Sequence, residues 1–98
     1  MTAVCEGARG SVHFKRTGRL LGRFAYRLVI SQDGGDTAHM ALEVAVRPTA
    51  ARRVLARRAS GGDASLTLTL EDGRRVDLFV GYRGPGRVVE VTPTSGLY

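Results

Sequence analysis

Residues 65–80 read Ser65-Leu66-Thr67-Leu68-Thr69-Leu70-Glu71-Asp72-Gly73-Arg74-Arg75-Val76-Asp77-Leu78-Phe79-Val80. Leu66, Leu68 and Leu70 alternate with threonines; Val76, Leu78 and Val80 alternate with Asp77 and Phe79. A period of two marks a strand with one buried face. Phase decides the turn between the two runs. A two-residue Asp72-Gly73 loop sets Leu68 against Asp77, apolar opposite charged. A three-residue Glu71-Asp72-Gly73 loop sets Leu68 opposite Val76 and Leu66 opposite Leu78. It also puts Gly73 where such loops need a left-handed residue. Because a one-residue slip turns every apolar side chain outward, the three-residue loop is expected.

The rest of the chain is read outward from this hairpin. Arg83-Gly84-Pro85-Gly86 is a second turn signal, followed by a strand over residues 87–92. A four-residue loop there pairs Val80 with Val89 and Leu78 with Val91, again in phase. Residues 93–98 read as a flexible tail. Upstream, Gly61-Gly62 stops a short helix over residues 50–59. Thr49 is its expected N-cap, and Ala51, Val54, Leu55 and Arg58 keep helical spacing. Before Pro48 the period returns to two. Met40, Leu42, Val44 and Val46 share one face of a strand over 38–47. Phe24, Tyr26, Leu28 and Ile30 share one face of a strand over 23–30, and Val12 and Phe14 do so over 11–16. Gly18 and Gly22 lie in one connection and Asp33-Gly34-Gly35-Asp36 makes the other.

The order is β-β-β-α-β-β-β. Gly18-Arg19 followed by Phe24 matches Gly73-Arg74 followed by Phe79 in spacing, so the helix divides two similar halves. Six short antiparallel strands must hide their edges by closure or by a facing sheet. The expected fold is mainly β: a six-stranded antiparallel barrel or sandwich with one short helix, in a single domain over residues 1–98.

The charge is unevenly placed. The 98 residues carry a net charge of +6 from 15 basic and 9 acidic residues, and Lys15 is the one lysine. A GC-rich coding sequence, which the Ala, Gly, Val and Arg richness fits, accounts for the ratio of Arg to Lys. It does not account for where the excess sits. Residues 1–30 carry +5 and residues 48–60 carry +4, while 31–47 carry −2 and 61–98 carry −1. Lys15, Arg16, Arg19, Arg23 and Arg27 fall mostly opposite the core face of the first hairpin. Arg52, Arg53, Arg57 and Arg58 occupy neighbouring helical turns. Side by side, the two groups would hold a polyanion, with arginine forks matched to phosphate.

Other chemistry has little support. His13, His39 and Cys5 have no metal-ligand spacing, and no metal or other cofactor is expected. Cys5 falls in a segment with no strand signal, read as a mobile N-terminus. Asp33, Asp36, Glu71 and Asp72 are turn residues. Gly18 and Gly22 lack the Gly-Lys-Ser/Thr of a phosphate-binding loop. No signal peptide or apolar span is visible, so a cytoplasmic protein without membrane contact is expected. Arg53 and Arg57 stand at the spacing of the R-x-x-x-R element of PilZ domains, and Asp63-Ala64-Ser65 resembles the start of that family's second motif. Leu68 occupies the position of its glycine, and the interval between the elements is too short, so the fragments carry no family assignment.

The expected function is a non-enzymatic binding module for a nucleic-acid backbone or other polyanion. Lys15, Arg16, Arg19, Arg23, Arg27, Arg52, Arg53 and Arg57 are its candidate contacts. Phe14, Phe24, Tyr26 and Tyr82 take core positions, leaving Phe79 and Tyr98 free to stack. That favours phosphate contact over a stacking platform. The alternative is a protein-interaction module, a homodimer or small oligomer joined through a strand edge or an apolar patch marked by Phe79 and Val88.

Overall fold

A computed structural model describes residues 2–32, 38–83 and 88–98. The turn signals at Asp33-Gly34-Gly35-Asp36 and Gly84-Pro85-Gly86 lie outside the described residues, as do the side chains of Tyr82 and Val88. Six strands and one helix follow the expected order: β1 (Thr2–Phe14), β2 (Leu20–Gln32), β3 (Ala38–Val44), α1 (Pro48–Ala59), β4 (Leu66–Thr69), β5 (Arg75–Arg83) and β6 (Val88–Pro93). They form one antiparallel sheet in the order β3-β2-β1-β4-β5-β6. The sheet curls until β3 approaches β6 and the barrel nearly closes. Each half is a local meander, and the halves meet edge to edge where β1 pairs β4.

The hairpin that decides the fold has the expected register. Leu68 faces Val76 and Leu66 faces Leu78. The Leu70 and Gly73 amides close the turn onto the Arg74 and Leu70 carbonyls, at 2.8 and 3.0 Å, and Gly73 has φ +92°. The next pairing is two residues out. Val80 faces Val91 and Leu78 faces Pro93, because β5 continues to Arg83 and β6 starts at Val88. A slip of two preserves the buried face, so phase alone could not detect it.

β1 is longer than its alternation suggested. Residues 2–7 pair with residues 26–31 of β2, and Cys5 lies opposite Leu28 within a strand, not in a loose terminus. The signal was hidden by two glycines. Between Gly7 and Gly10 the register gains one residue on β1, a β-bulge at Ala8 and Arg9. The Tyr26 ring lies across both glycines. A Cβ at Gly7 would stand 2.5 Å from that ring and one at Gly10 2.6 Å. Glu71, in the turn after β4, completes the junction. Its Oε1 accepts the Ala8 and Arg9 amides at 3.0 and 2.9 Å, and its own amide donates to the Tyr26 hydroxyl at 2.9 Å.

A second irregularity leaves Leu21 as an extra residue on β2, between the pairs His13–Leu20 and Val12–Gly22. It inverts the phase of everything after it. Gly18 and Gly73 both have positive φ, so the turns of the two halves correspond. Yet Phe24 is buried, and Phe79, at the same spacing, is 45% exposed.

α1 begins two residues earlier than expected, with Arg47 as N-cap and Pro48 in the first turn. Thr49 lies inside the helix. Proline fits the first helical position, where its missing N–H is not needed. The helix stops at Gly61-Gly62: Gly61 donates to the Arg58 carbonyl and Gly62 to that of Arg57, a Schellman closure. Ala50, Ala51 and Val54 are buried against the barrel, Leu55 is half-buried and Arg58 is exposed. The tail departs from the loose segment expected. Thr94 donates to the Asp77 carbonyl, and Tyr98 and Arg75 exchange a pair of backbone bonds at 2.8 and 2.9 Å.

Two glycine variants separate two physical effects. Gly10→Ala should collide with Tyr26 and Leu68 and cost about 1–3 kcal/mol. Gly73→Ala has open space around it and should lose only the left-handed penalty, about 1–2 kcal/mol. Urea unfolding should also show near-ultraviolet changes at Tyr26 for Gly10→Ala only.

Candidate anion-binding cleft

The two irregularities open onto one place. Arg9 leaves β1 at its bulge, and Leu21 is the extra residue of β2. The start of α1 packs beside them. Between these segments lies an open cleft of about 420 Å3, lined by Arg9, Arg23, Arg47 and Arg53 together with Leu20, Leu21, Gly22, Phe24, Thr49 and Ala50. No lining residue is acidic. Bulges re-aim side chains that a regular strand would send elsewhere, and these bring residues from β1, β2 and the α1 segment around one opening. Gly22 keeps the floor flat, since a Cβ there would stand 2.6 Å from the Phe24 ring. The first turn of α1 adds no acidic residue and no side-chain cap. Four like charges around one opening repel each other in the empty protein and attract any anion that enters.

Of the eight expected contacts, Arg23 and Arg53 line this cleft. Arg16, Arg19 and Arg52 are exposed elsewhere. The other three have partners within the chain. The Lys15 Nζ donates to Asp77 at 2.6 Å. Arg27 pairs with Glu6 at 3.2 Å and lies opposite Glu43 across β3. The Arg57 guanidinium sits 5.1 Å from the Phe14 ring centroid, and its Nε donates to the Asp63 carbonyl at 2.8 Å. Arg9 and Arg47 were missed. Arg9 belongs to the stretch whose strand signal the glycines masked, with Gly7-x-x-Gly10 as the one available hint. Arg47 reads as the outward end of a strand until Pro48 is recognised as helical.

A second opening, of about 400 Å3, is lined by His13, Lys15, Thr67, Thr69, Arg75 and Tyr98, among others. Asp77 lies beside it with its carboxylate fully engaged: it accepts from Lys15 at 2.6 Å, the Tyr98 hydroxyl at 2.6 Å and Thr67 at 3.0 Å. Burial alone would raise its pKa, but these donors outweigh burial and hold it below the usual carboxylate range. His13 makes no hydrogen bond to it. Asp77 is therefore a structural hub that ties β1, β4 and the tail together. Elsewhere, the Cys5 Sγ accepts from Arg74 at 3.1 Å, and Arg74 also pairs with Asp72. Among the described residues, no three His, Cys, Asp or Glu side chains gather in a way that could hold a metal ion, and no helix is long and apolar enough to cross a membrane.

No known protein family, curated protein or solved structure matches the chain. The two arginines of the first fragment that resembles a PilZ motif do not act together. Arg53 turns to the cleft, while Arg57 holds Phe14 and the Asp63 carbonyl.

The depressed Asp77 pKa has a signed consequence. A carboxyl with a folded pKa below its unfolded value contributes stability above about pH 4 and loses it as pH falls through the folded pKa. Asp77→Asn should therefore be less stable than the parent at pH 7, with the difference shrinking as pH drops below about 4. Thermal melts across pH 2–7 measure it; a pH-independent difference would contradict the assignment.

Proposed function

We propose that this chain is a non-enzymatic binding module whose cleft grips the phosphate backbone of a nucleic acid. The observation that supports this reading most is the convergence of Arg9, Arg23, Arg47 and Arg53 on one opening with no acidic lining residue. Each guanidinium offers a planar fork to a phosphate. Arg19 and Arg52 adjoin the lining residues Leu20 and Arg53 in sequence, are exposed, and have no acidic partner among the described residues. The four cleft guanidiniums alone present more donors than one phosphate would use, which suits a polymer of phosphates. Phosphate contacts of this kind bind with little regard to sequence and weaken steeply with salt.

A second reading has one observation of its own. Phe79 is 45% exposed beside Arg58, Glu90 and Thr92, with the Arg58 guanidinium 5.8 Å from its ring centroid. An aromatic presented on the outer face of a sheet suits a protein partner or a second copy. Sedimentation of the wild type beside Phe79→Thr tests it: a concentration-dependent dimer lost in the variant would support the reading.

Fluorescence anisotropy with labelled duplex DNA and single-stranded RNA tests the leading proposal. With about four phosphates neutralised, affinity should fall roughly a hundredfold between about 50 and 200 mM salt. The Arg23→Glu/Arg53→Glu double variant, shown folded by circular dichroism, should lose binding. Arg27→Gln, whose arginine is already paired with Glu6, should retain it within a few-fold. Absence of binding to either probe at low salt would defeat the proposal.

A further inference from the structure

The smaller part of the cleft's surface is apolar. Leu20, Leu21, Gly22, Phe24 and Ala50 stand among the four arginines. Leu20 is 41% exposed, an apolar side chain held in view next to charged groups. At about 420 Å3 the cleft falls within the roughly 300–1,000 Å3 range of small-molecule pockets. Leu21, Phe24 and Ala50 are buried in the core, but a phosphate group alone would leave most of that volume, and the exposed Leu20 side chain, without a partner. An unpaired base attached to the same backbone fills both.

We infer that the bound nucleic acid is single-stranded, with one base laid into the cleft against Leu20 and its neighbours while the flanking phosphates rest on the arginines. The inference builds on the phosphate-binding reading above and adds the state of the strand. A duplex keeps its bases paired and stacked, and flipping one out costs a few kcal/mol. A single strand offers bases already exposed. The shortage of exposed aromatic side chains is no obstacle, because guanidinium planes also stack on bases. Arg9, Arg23, Arg47 and Arg53 therefore have two uses in one site: forks for phosphate edgewise and planes for a base face-on. Leu20 supplies the apolar contact. Because every base has a face to stack, binding is tolerant of sequence.

The test is anisotropy at low salt with labelled probes of one length: single-stranded DNA, its RNA counterpart, the DNA strand with every base removed, and the duplex. The tighter-binding of the two base-bearing single strands should exceed both the abasic strand and the duplex on the order of tenfold, the equivalent of one stacked base. Leu20→Ser, on an exposed position and checked for folding, should erase most of that advantage without weakening the abasic strand. If abasic strand and duplex bind as tightly as the base-bearing strands, the inference falls while the phosphate reading stands. If no probe binds, both fall.

Discussion

One carboxylate holds the two halves of this protein in register. Glu71 sits in the turn that ends β4, where the ladder between β1 and β4 would otherwise stop. Its Oε1 takes the two amides that the β1 bulge turns away from β2. A side chain thus continues the ladder where the backbone cannot. The Tyr26 hydroxyl accepts the Glu71 amide, and the Tyr26 ring covers the glycines on either side of the bulge. The bond between the Glu71 amide and Tyr26 is half-buried, and losing it would leave a polar group short of a partner, so glycines, tyrosine and glutamate stand together. With that junction in place, β1 bends from the first meander into the second and the sheet can curl toward closure.

The cleft follows from the same bend. Arg9 is the second residue of the bulge, and Leu21 is the extra residue opposite the far end of β1. Neither side chain would face the start of α1 in a regular ladder. The charge map of the sequence placed the excess correctly in the first hairpin and the helix. It could not divide that excess into arginines that face the cleft and basic residues held by Asp77, Glu6 and Asp63.

Strand identity was legible wherever a face of three or more apolar residues alternated without interruption, as at Leu66 to Val80 and Phe24 to Ile30. It failed where irregularity replaced alternation. Residues 2–10 offer glycines and small side chains in place of an apolar face, and what orders them is Tyr26, sixteen residues beyond Gly10. Spacing between Gly18 and Phe24 implied equivalence with Gly73 and Phe79, and one inserted residue cancelled it. The β5–β6 register lay beyond reach for a different reason: alternation distinguishes odd slips from none, but not a slip of two. The helix was found from its glycines and its alanine-rich face, while its first residue was misplaced because Pro48 reads equally well as an end or a beginning.

The four arginines of the cleft come from three segments, β1, β2 and the start of α1, that meet only in the folded chain. Their mutual repulsion is therefore a load on the folded state alone, one that the unfolded chain largely escapes by keeping them apart. Occupancy and folding are then thermodynamically linked: an anion that neutralises the cleft binds the native state in preference and raises its stability by mass action. Simple salt acts on the same charges in two opposite senses. It screens the repulsion and steadies the empty protein, and it competes with the polyanion and loosens the complex.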